Sequence, residues 1–122
     1  MKNKRRLKTE NAINEMGYDI QYAYGEAIEN DIFGVEHTYL YTLCALIRKN
    51  DTSHCYIGIA RKSHLDQKNK QIGLMKALGR AYSNMIYDEN RMTITQAISK
   101  YKNLKYGDCL VAELTYAKHN DE

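Results

Sequence analysis

The sequence predicts an α+β domain. In it a small antiparallel sheet, made of a hairpin plus a C-terminal strand, packs with two or three helices in the order α-β-β-α-α-β. Two segments rich in Thr, Tyr, Leu and Ile flank a short polar turn, which is the pattern of a β-hairpin. Other segments repeat apolar residues at three- and four-residue steps, which is typical of helices. Such elements are expected to pack in layers, with the helices on one face of the sheet.

The first half of the chain contains a predicted helix and the hairpin. Apolar residues recur at helical spacing across Thr9–Asn30, although two glycines within it lower its helix propensity. The predicted hairpin strands are Glu36–Lys49 and Cys55–Ala60, joined by a turn at Asn50–Ser53. Gly58 in the second strand lets a helix or a ligand approach the sheet closely.

The second half begins with a basic polar loop, Arg61–Lys70, which leads into a helix over about Leu65–Tyr87. A third helix follows, capped by Thr93 or Thr95 and ending near Asn103. The last predicted strand is Cys109–Ala117, which we expect to pair with the hairpin.

Composition places the chain among small, mildly basic globular proteins. With 122 residues and a net charge of +3, we expect one domain over residues 1–122, with residues 1–8 as a basic flexible N-terminal tail. No apolar run approaches the ~20 residues of a membrane span, and no signal peptide is evident. The three cysteines are widely spaced and indicate buried free thiols in a reducing, cytoplasmic compartment.

One side of the second helix carries a polar ridge. Lys76, Arg80 and Asn84 follow at four-residue steps, and Gly73, Ala77 and Gly79 leave space around them. Arginine offers phosphate a bidentate fork, lysine offers a point charge, and an asparagine amide can read a base or ribose edge. The basic residues expected to close over this spot from the preceding loop are Arg61, Lys62 and His64. The alternative interpretation is a merely solvated helix face.

No catalytic or metal-binding pattern accompanies this ridge. The sequence contains no phosphate loop, no Cys-x-x-Cys and no His-x-x-x-His, and we find no nucleophile–base–orienter set. We therefore expect a binding protein rather than an enzyme, with neither a cofactor nor a metal.

A longer pattern runs through the same region. It comprises Gly58-Ile-Ala-Arg61, a polar loop with Asp66, Ile72-Gly73, and Ala77-Leu78-Gly79-Arg80-Ala81. This pattern resembles the first described family of phage Thoeris anti-defence proteins and covers about a quarter of the chain. One position departs from it, because Leu74 stands where the family pattern has a basic residue.

The resemblance implies a non-catalytic sponge in the host cytosol. Such a protein sequesters the NAD-derived cyclic nucleotide glycocyclic ADP-ribose, in some relatives also cyclic oligonucleotides, and assembles as dimers or hexamers. The residues that suit this role are Arg61, Lys76 and Arg80 for a pyrophosphate, Tyr82, Tyr87 or Arg91 for an adenine, and Asp51, Thr52 or Asn84 for ribose hydroxyls.

Two other functions remain open from the sequence. The basic N-terminal run and the ridge are compatible with a small nucleic-acid-binding protein, although +3 is a small excess for that class. The eleven tyrosines are equally compatible with a phage protein that inhibits another protein through a Tyr-rich surface.

Overall fold

The computed structural model describes residues 4–63, 70–102 and 114–115. Along the chain, the elements are α1 (Lys4–Glu15), β1 (Tyr18–Asn30), β2 (Glu36–Arg48), β3 (Cys55–Ser63), α2 (Lys70–Ile86) and α3 (Ile94–Tyr101). Within the described residues, the strands form one antiparallel sheet in the order β1-β2-β3. The predicted α+β class is confirmed, but a third consecutive strand changes the predicted order of elements.

The predicted helix over Thr9–Asn30 is correct only as far as Glu15. Gly17 adopts a φ of +88°, a left-handed conformation that ends the helix and that glycine tolerates best. From Tyr18 onward the chain is strand β1, paired along its whole length with β2. The apolar spacing fitted a helix, but Tyr and Ile at every second position also fit a strand, and pairing with β2 decides between them.

The segment Lys4–Lys8, which the sequence placed in a flexible tail, forms the first turns of α1. Arg6 is buried in this helix, and its Nε lies 3.6 Å from Oε1 of Glu10. Glu10 in turn accepts a hydrogen bond of 2.9 Å from the hydroxyl of Tyr22 on β1. This packing holds the basic segment against the sheet.

The predicted hairpin of β2 and β3 is confirmed. Its turn places Asn50 at a φ of +59°, and the amide of Arg48 donates to the carbonyl of His54 at 2.9 Å. Strand β3 runs to Ser63, so Arg61 and Lys62 belong to the strand and not to the predicted loop.

The helices of the second half are also largely as predicted. Residues 64–69, including the predicted start of the second helix at Leu65, lie outside the described residues. Thr93 caps α3 in a reciprocal capping box with Gln96, so Thr93 and not Thr95 is the cap. The predicted strand Cys109–Ala117 lies mostly outside the described residues, and it is wrong at Leu114 and Thr115, which are helical.

Helices cover both faces of the sheet, whereas the sequence predicted one face. The α1/α2 face packs a cluster that includes Ile13, Tyr18, Cys44, Leu46, Tyr56, Leu78 and Met85. The α3 face packs a second cluster that includes Leu43, Ala45, Ile47, Ile57, Ile94, Tyr101 and Leu114. Because side chains alternate along each strand, the central strand β2 contributes to both clusters and is apolar on both sides.

Two further sequence expectations concern the cysteines and membrane spans. Cys44 and Cys55 are buried free thiols, as predicted, while Cys109 lies outside the described residues. Within the described part of the chain, no helix is long and apolar enough to cross a membrane.

Candidate functional site

Helix α2 lies in direct backbone contact with β3. A Cβ built on Gly58 would come closer than 3.0 Å to the carbonyl oxygen of Ala77 and the amide nitrogen of Ala81. Only a residue without a side chain fits this crossing. The sequence left open whether a helix or a ligand would use the space beside Gly58, and a helix uses it.

The close crossing also buries a residue that the sequence placed beside the polar ridge. Ala77 is fully buried, whereas Ile72 on the same helix is about half exposed. Leu74 is 6% exposed and belongs to the core. A charge at position 74 would be buried and therefore costly in this structure.

Two members of the ridge contact the outer edge of β3. Nη1 of Arg80 donates to the carbonyl oxygen of Ile59, and Nδ2 of Asn84 donates to the carbonyl oxygen of Ile57 at 3.1 Å. Alternate residues of β3 direct their backbone groups away from β2, and among the described strands none pairs with this side of β3. Arg80 and Asn84 therefore cap an edge strand in the structure described here.

A shallow groove follows this contact line. Its volume is about 380 Å³, and it is lined by Ile57, Gly58, Ile59, Arg80, Ser83 and Asn84. Lys76 is exposed one helical turn before Arg80 on the same side of α2. The groove thus combines a guanidinium, a hydroxyl and an amide along a strand edge, with an ammonium one turn away.

Arg61 does not join the groove, contrary to the prediction. It pairs with Tyr41 across the sheet, so its side chain lies on the α3 face, opposite α2. There its Nη1 donates to Oε2 of Glu29 at 2.9 Å, and its guanidinium lies over the ring of Tyr39, 4.5 Å from the centroid. At Arg61 the chain is therefore strand and not the predicted loop that would bring this residue onto the ridge.

Glu29 connects this second polar cluster. Its Oε1 accepts from the hydroxyl of Tyr41 at 2.9 Å. Burial and the hydrogen bond to Glu29 raise the pKa of Tyr41, while the hydrogen bond to Tyr41 and the charge of Glu29 raise the pKa of Arg61. The sequence analysis missed this cluster, because finding it requires the β1–β2 register in a segment that was predicted to be helical.

The predicted ribose-binding residues form a turn at the end of the hairpin. Asp51 accepts from the amide of Ser53 at 3.0 Å and from Nδ1 of His54 at 2.8 Å. Hydrogen bonds from the side chain and then the backbone of Ser53 lower the pKa of Asp51. The carbonyl of Thr52 accepts from the amide of Ile94 at 2.8 Å.

Arg91 belongs to this turn as well. Its Nη1 lies 3.3 Å from Nε2 of His54, and its Nε lies 3.8 Å from Oδ1 of Asp88. The adjacent Asn90 donates to Oδ1 of Asn84 at 3.3 Å, so the turn and the groove are neighbours.

The remaining predicted contacts are dispersed. Tyr82 is half-buried against the α1/α2 cluster, whereas Tyr87 is exposed at the end of α2. His64 lies outside the described residues. Among the residues that are described, no group of three or more His, Cys, Asp or Glu side chains is arranged to hold a metal ion.

Comparisons with protein-family models, with curated proteins and with solved structures found no match.

Proposed function

We propose that this protein is a non-catalytic binder that sequesters an anionic, NAD-derived cyclic nucleotide such as glycocyclic ADP-ribose, and that it thereby blocks a Thoeris-type bacterial immune signal. The observation that carries the proposal is the groove along β3, where Arg80, Ser83 and Asn84 line one space. Its volume of about 380 Å³ falls within the range of small-molecule sites, about 300–1,000 Å³.

The chemistry of the groove suits a phosphorylated ligand. The guanidinium of Arg80 donates one N–H to Ile59 and has further N–H donors for a phosphate. No carboxylate is among the described residues that line the groove, so none of them repels a phosphate. Lys76 adds a second positive charge one turn away. The Arg80 and Asn84 side chains are already held by the strand edge, so binding costs little of their rotamer entropy.

Binding without turnover is the specific claim. Calorimetry with purified glycocyclic ADP-ribose should give tight binding, and denaturing the complex should release the ligand intact by mass spectrometry. Absence of binding, or release of a cleaved product, contradicts the proposal.

A charge-matched pair of variants tests the location. Lys76→Ala should weaken binding by about tenfold or more, because it removes a cation beside the groove. Lys100→Ala, an exposed lysine on the opposite side of the sheet, should leave affinity unchanged. Equal effects of the two changes would indicate nonspecific attraction.

A further inference from the structure

Strand β1 forms one edge of the sheet. The amide of Lys49 donates to the carbonyl of Gly17, so the odd-numbered residues of β1 direct their backbone groups toward β2. The even-numbered residues direct theirs outward, and among the described strands none pairs with this side of β1. Because β1 is paired with β2 over all 13 of its residues, this edge is already ordered, and a strand that binds to it pays the ordering cost alone.

Helix α1 runs beside this edge on one face of the sheet. The hydroxyl of Tyr22 on β1 donates to Oε2 of Glu10 at 2.9 Å, which ties the helix to the strand. A cavity of about 400 Å³ lies between the two elements, and its lining includes Leu7, Glu10 and Asn11 of α1 and Asp19, Ile20 and Gln21 of β1. Because Ile20 points to the opposite face from Asp19 and Gln21, a cavity that touches all three includes the outer edge of the strand.

The charge of β1 indicates the chemistry of a partner. The strand carries three carboxylates, Asp19, Glu26 and Glu29, and no lysine or arginine, in a chain whose net charge is +3. Asp19 lies 3.8 Å from Nζ of Lys49, and Glu29 lies 2.9 Å from Nη1 of Arg61. Glu26 is exposed. Since like charges directly opposite each other destabilise a strand pair, this edge disfavours a second acidic strand and favours a basic one.

Apolar side chains share a face with Glu26. Tyr24 is 49% exposed and Ile28 is 55% exposed, and both alternate with Glu26 along the strand. Directly opposed side chains pack or pair with each other, so this row suits a partner strand that alternates apolar and basic residues.

The same row ends at the cavity beside α1. Ile20 borders it, and so does Glu10, whose Oε1 lies 3.6 Å from Nε of Arg6. A carboxylate can accept about four hydrogen bonds, so Glu10 and Asp19 retain acceptor capacity for a further cation. The cavity therefore suits the long basic side chain of a residue that lies opposite Ile20.

We propose that β1 binds an extended, basic segment of a partner protein, which adds antiparallel to its outer edge alongside α1. Partner residues opposite Ile28 and Tyr24 are apolar, the residue opposite Glu26 is basic, and the residue opposite Ile20 extends a lysine or arginine into the cavity. The site lies at the opposite edge of the sheet from the groove at β3, so it does not depend on the ligand proposed there.

A synthetic peptide tests this site on the full chain. The probe is the terminally blocked peptide Val-Thr-Lys-Thr-Val-Thr-Ala-Thr-Lys, whose valines lie opposite Ile28 and Tyr24 and whose lysines lie opposite Glu26 and Ile20. Calorimetry should show that replacing both lysines of the peptide by glutamate raises its dissociation constant by about tenfold or more. Equal affinities of the two peptides, or no binding of the lysine peptide, overturn the proposal.

The backbone pairing has a test of its own. In this register the amide of the first lysine bonds to Glu26, whereas the amide of the threonine that follows it points away from β1. N-methylation of the lysine amide should therefore weaken binding by about tenfold, and N-methylation of the threonine amide should weaken it much less. Equal effects, or the reverse order, reject strand addition in this register.

A charge-matched pair of variants locates the site on the protein. Glu26→Lys should weaken binding of the lysine peptide by about tenfold, because it opposes two ammonium groups. Glu89→Lys, at an exposed position after α2, changes the net charge equally and should leave the affinity unchanged. Equal effects of the two changes would indicate nonspecific attraction and reject β1 as the site. A second copy of the chain on this edge, seen by light scattering as a dimer that the peptide does not dissociate, would also overturn the proposal.

Discussion

Gly58 of β3 and Ala77 of α2 meet backbone to backbone, with no room for a side chain between them. This contact fixes the height of α2 above the sheet. It also places Arg80 and Asn84 within reach of the carbonyl groups of Ile59 and Ile57. The groove that we propose as a ligand site therefore depends on one glycine.

Replacing Gly58 by alanine should destabilise the protein by about 2–4 kcal/mol, because the added methyl group meets backbone atoms that cannot rotate away. Chemical denaturation of the variant measures this loss. Gly79→Ala is the matched control, since a Cβ at Gly79 meets nothing within 4 Å, and it should stabilise α2 by up to ~1 kcal/mol. A similar loss in both variants would mean that the loss at Gly58 is not specific to the crossing with α2.

Arg80 should contribute to both stability and binding. Arg80→Ala removes the hydrogen bond to Ile59 and should lower the free energy of unfolding by about 0.5–1.5 kcal/mol. Arg80→Lys retains the charge but loses the planar guanidinium. Compared with Arg80→Ala, it should therefore regain part of the ligand affinity but little of the stability that the hydrogen bond to Ile59 contributes. Denaturation and calorimetry on the same samples separate the two effects, and full affinity in Arg80→Ala would remove this residue from the site.

The turn between β1 and β2, in which Asp31 accepts from the amides of Phe33 and Val35 and from Nε2 of His37, should weaken in acid. The hydrogen bond from His37, followed by those from the backbone amides of Val35 and Phe33, lowers the pKa of Asp31 below its ordinary value of 3.8. A lowered pKa in the folded state stabilises the protein above the unfolded pKa, and this contribution is lost as the pH falls through the folded pKa.

Thermal unfolding at several pH values measures this dependence. Asp31→Ala should melt below the wild type at pH 7, and the difference should shrink as the pH falls below about 3.8. Glu36→Ala removes a carboxylate near the same turn but leaves the hydrogen bonds to Asp31 in place. Its melting temperature should therefore differ little from that of the wild type at pH 7 or in acid. A difference for Asp31→Ala that is constant with pH would contradict the assigned role.

The two buried thiols should report on unfolding. Burial raises the pKa of Cys55 to about 12, and it also raises the pKa of Cys44. Because the thiolate is the reactive form, a thiol reagent at pH 8 should modify neither residue in a folded Cys109→Ser background, and both in denaturant. Rapid modification of the native protein would show that the sheet opens locally.

The sequence predicted those elements whose signals are local. The β2–β3 hairpin follows from two Tyr- and Ile-rich segments around a polar turn, and α3 follows from a capping threonine. It also identified Gly58 as a point of close approach. Each of these depends on a few neighbouring residues and on a single period of hydrophobicity.

The segment after Gly17 shows where local signals fail. Its apolar residues satisfy a helical spacing, and its Tyr and Ile residues satisfy a strand spacing, so the period alone leaves the structure undecided. Pairing with β2 decides it. The same pairing places Arg61 with Glu29 and away from Lys76, which no reading of β3 alone could reveal.

By itself, then, the sequence determined the α+β class, one hairpin, the capped third helix and the crossing point at Gly58. Only the tertiary structure decided that β1 is a strand, that helices cover both faces, and that Arg80 and Asn84 cap an edge while Arg61 faces the opposite side. The reason is physical. A propensity is a property of a few adjacent residues, whereas strand register and the facing of a side chain depend on partners distant in the chain.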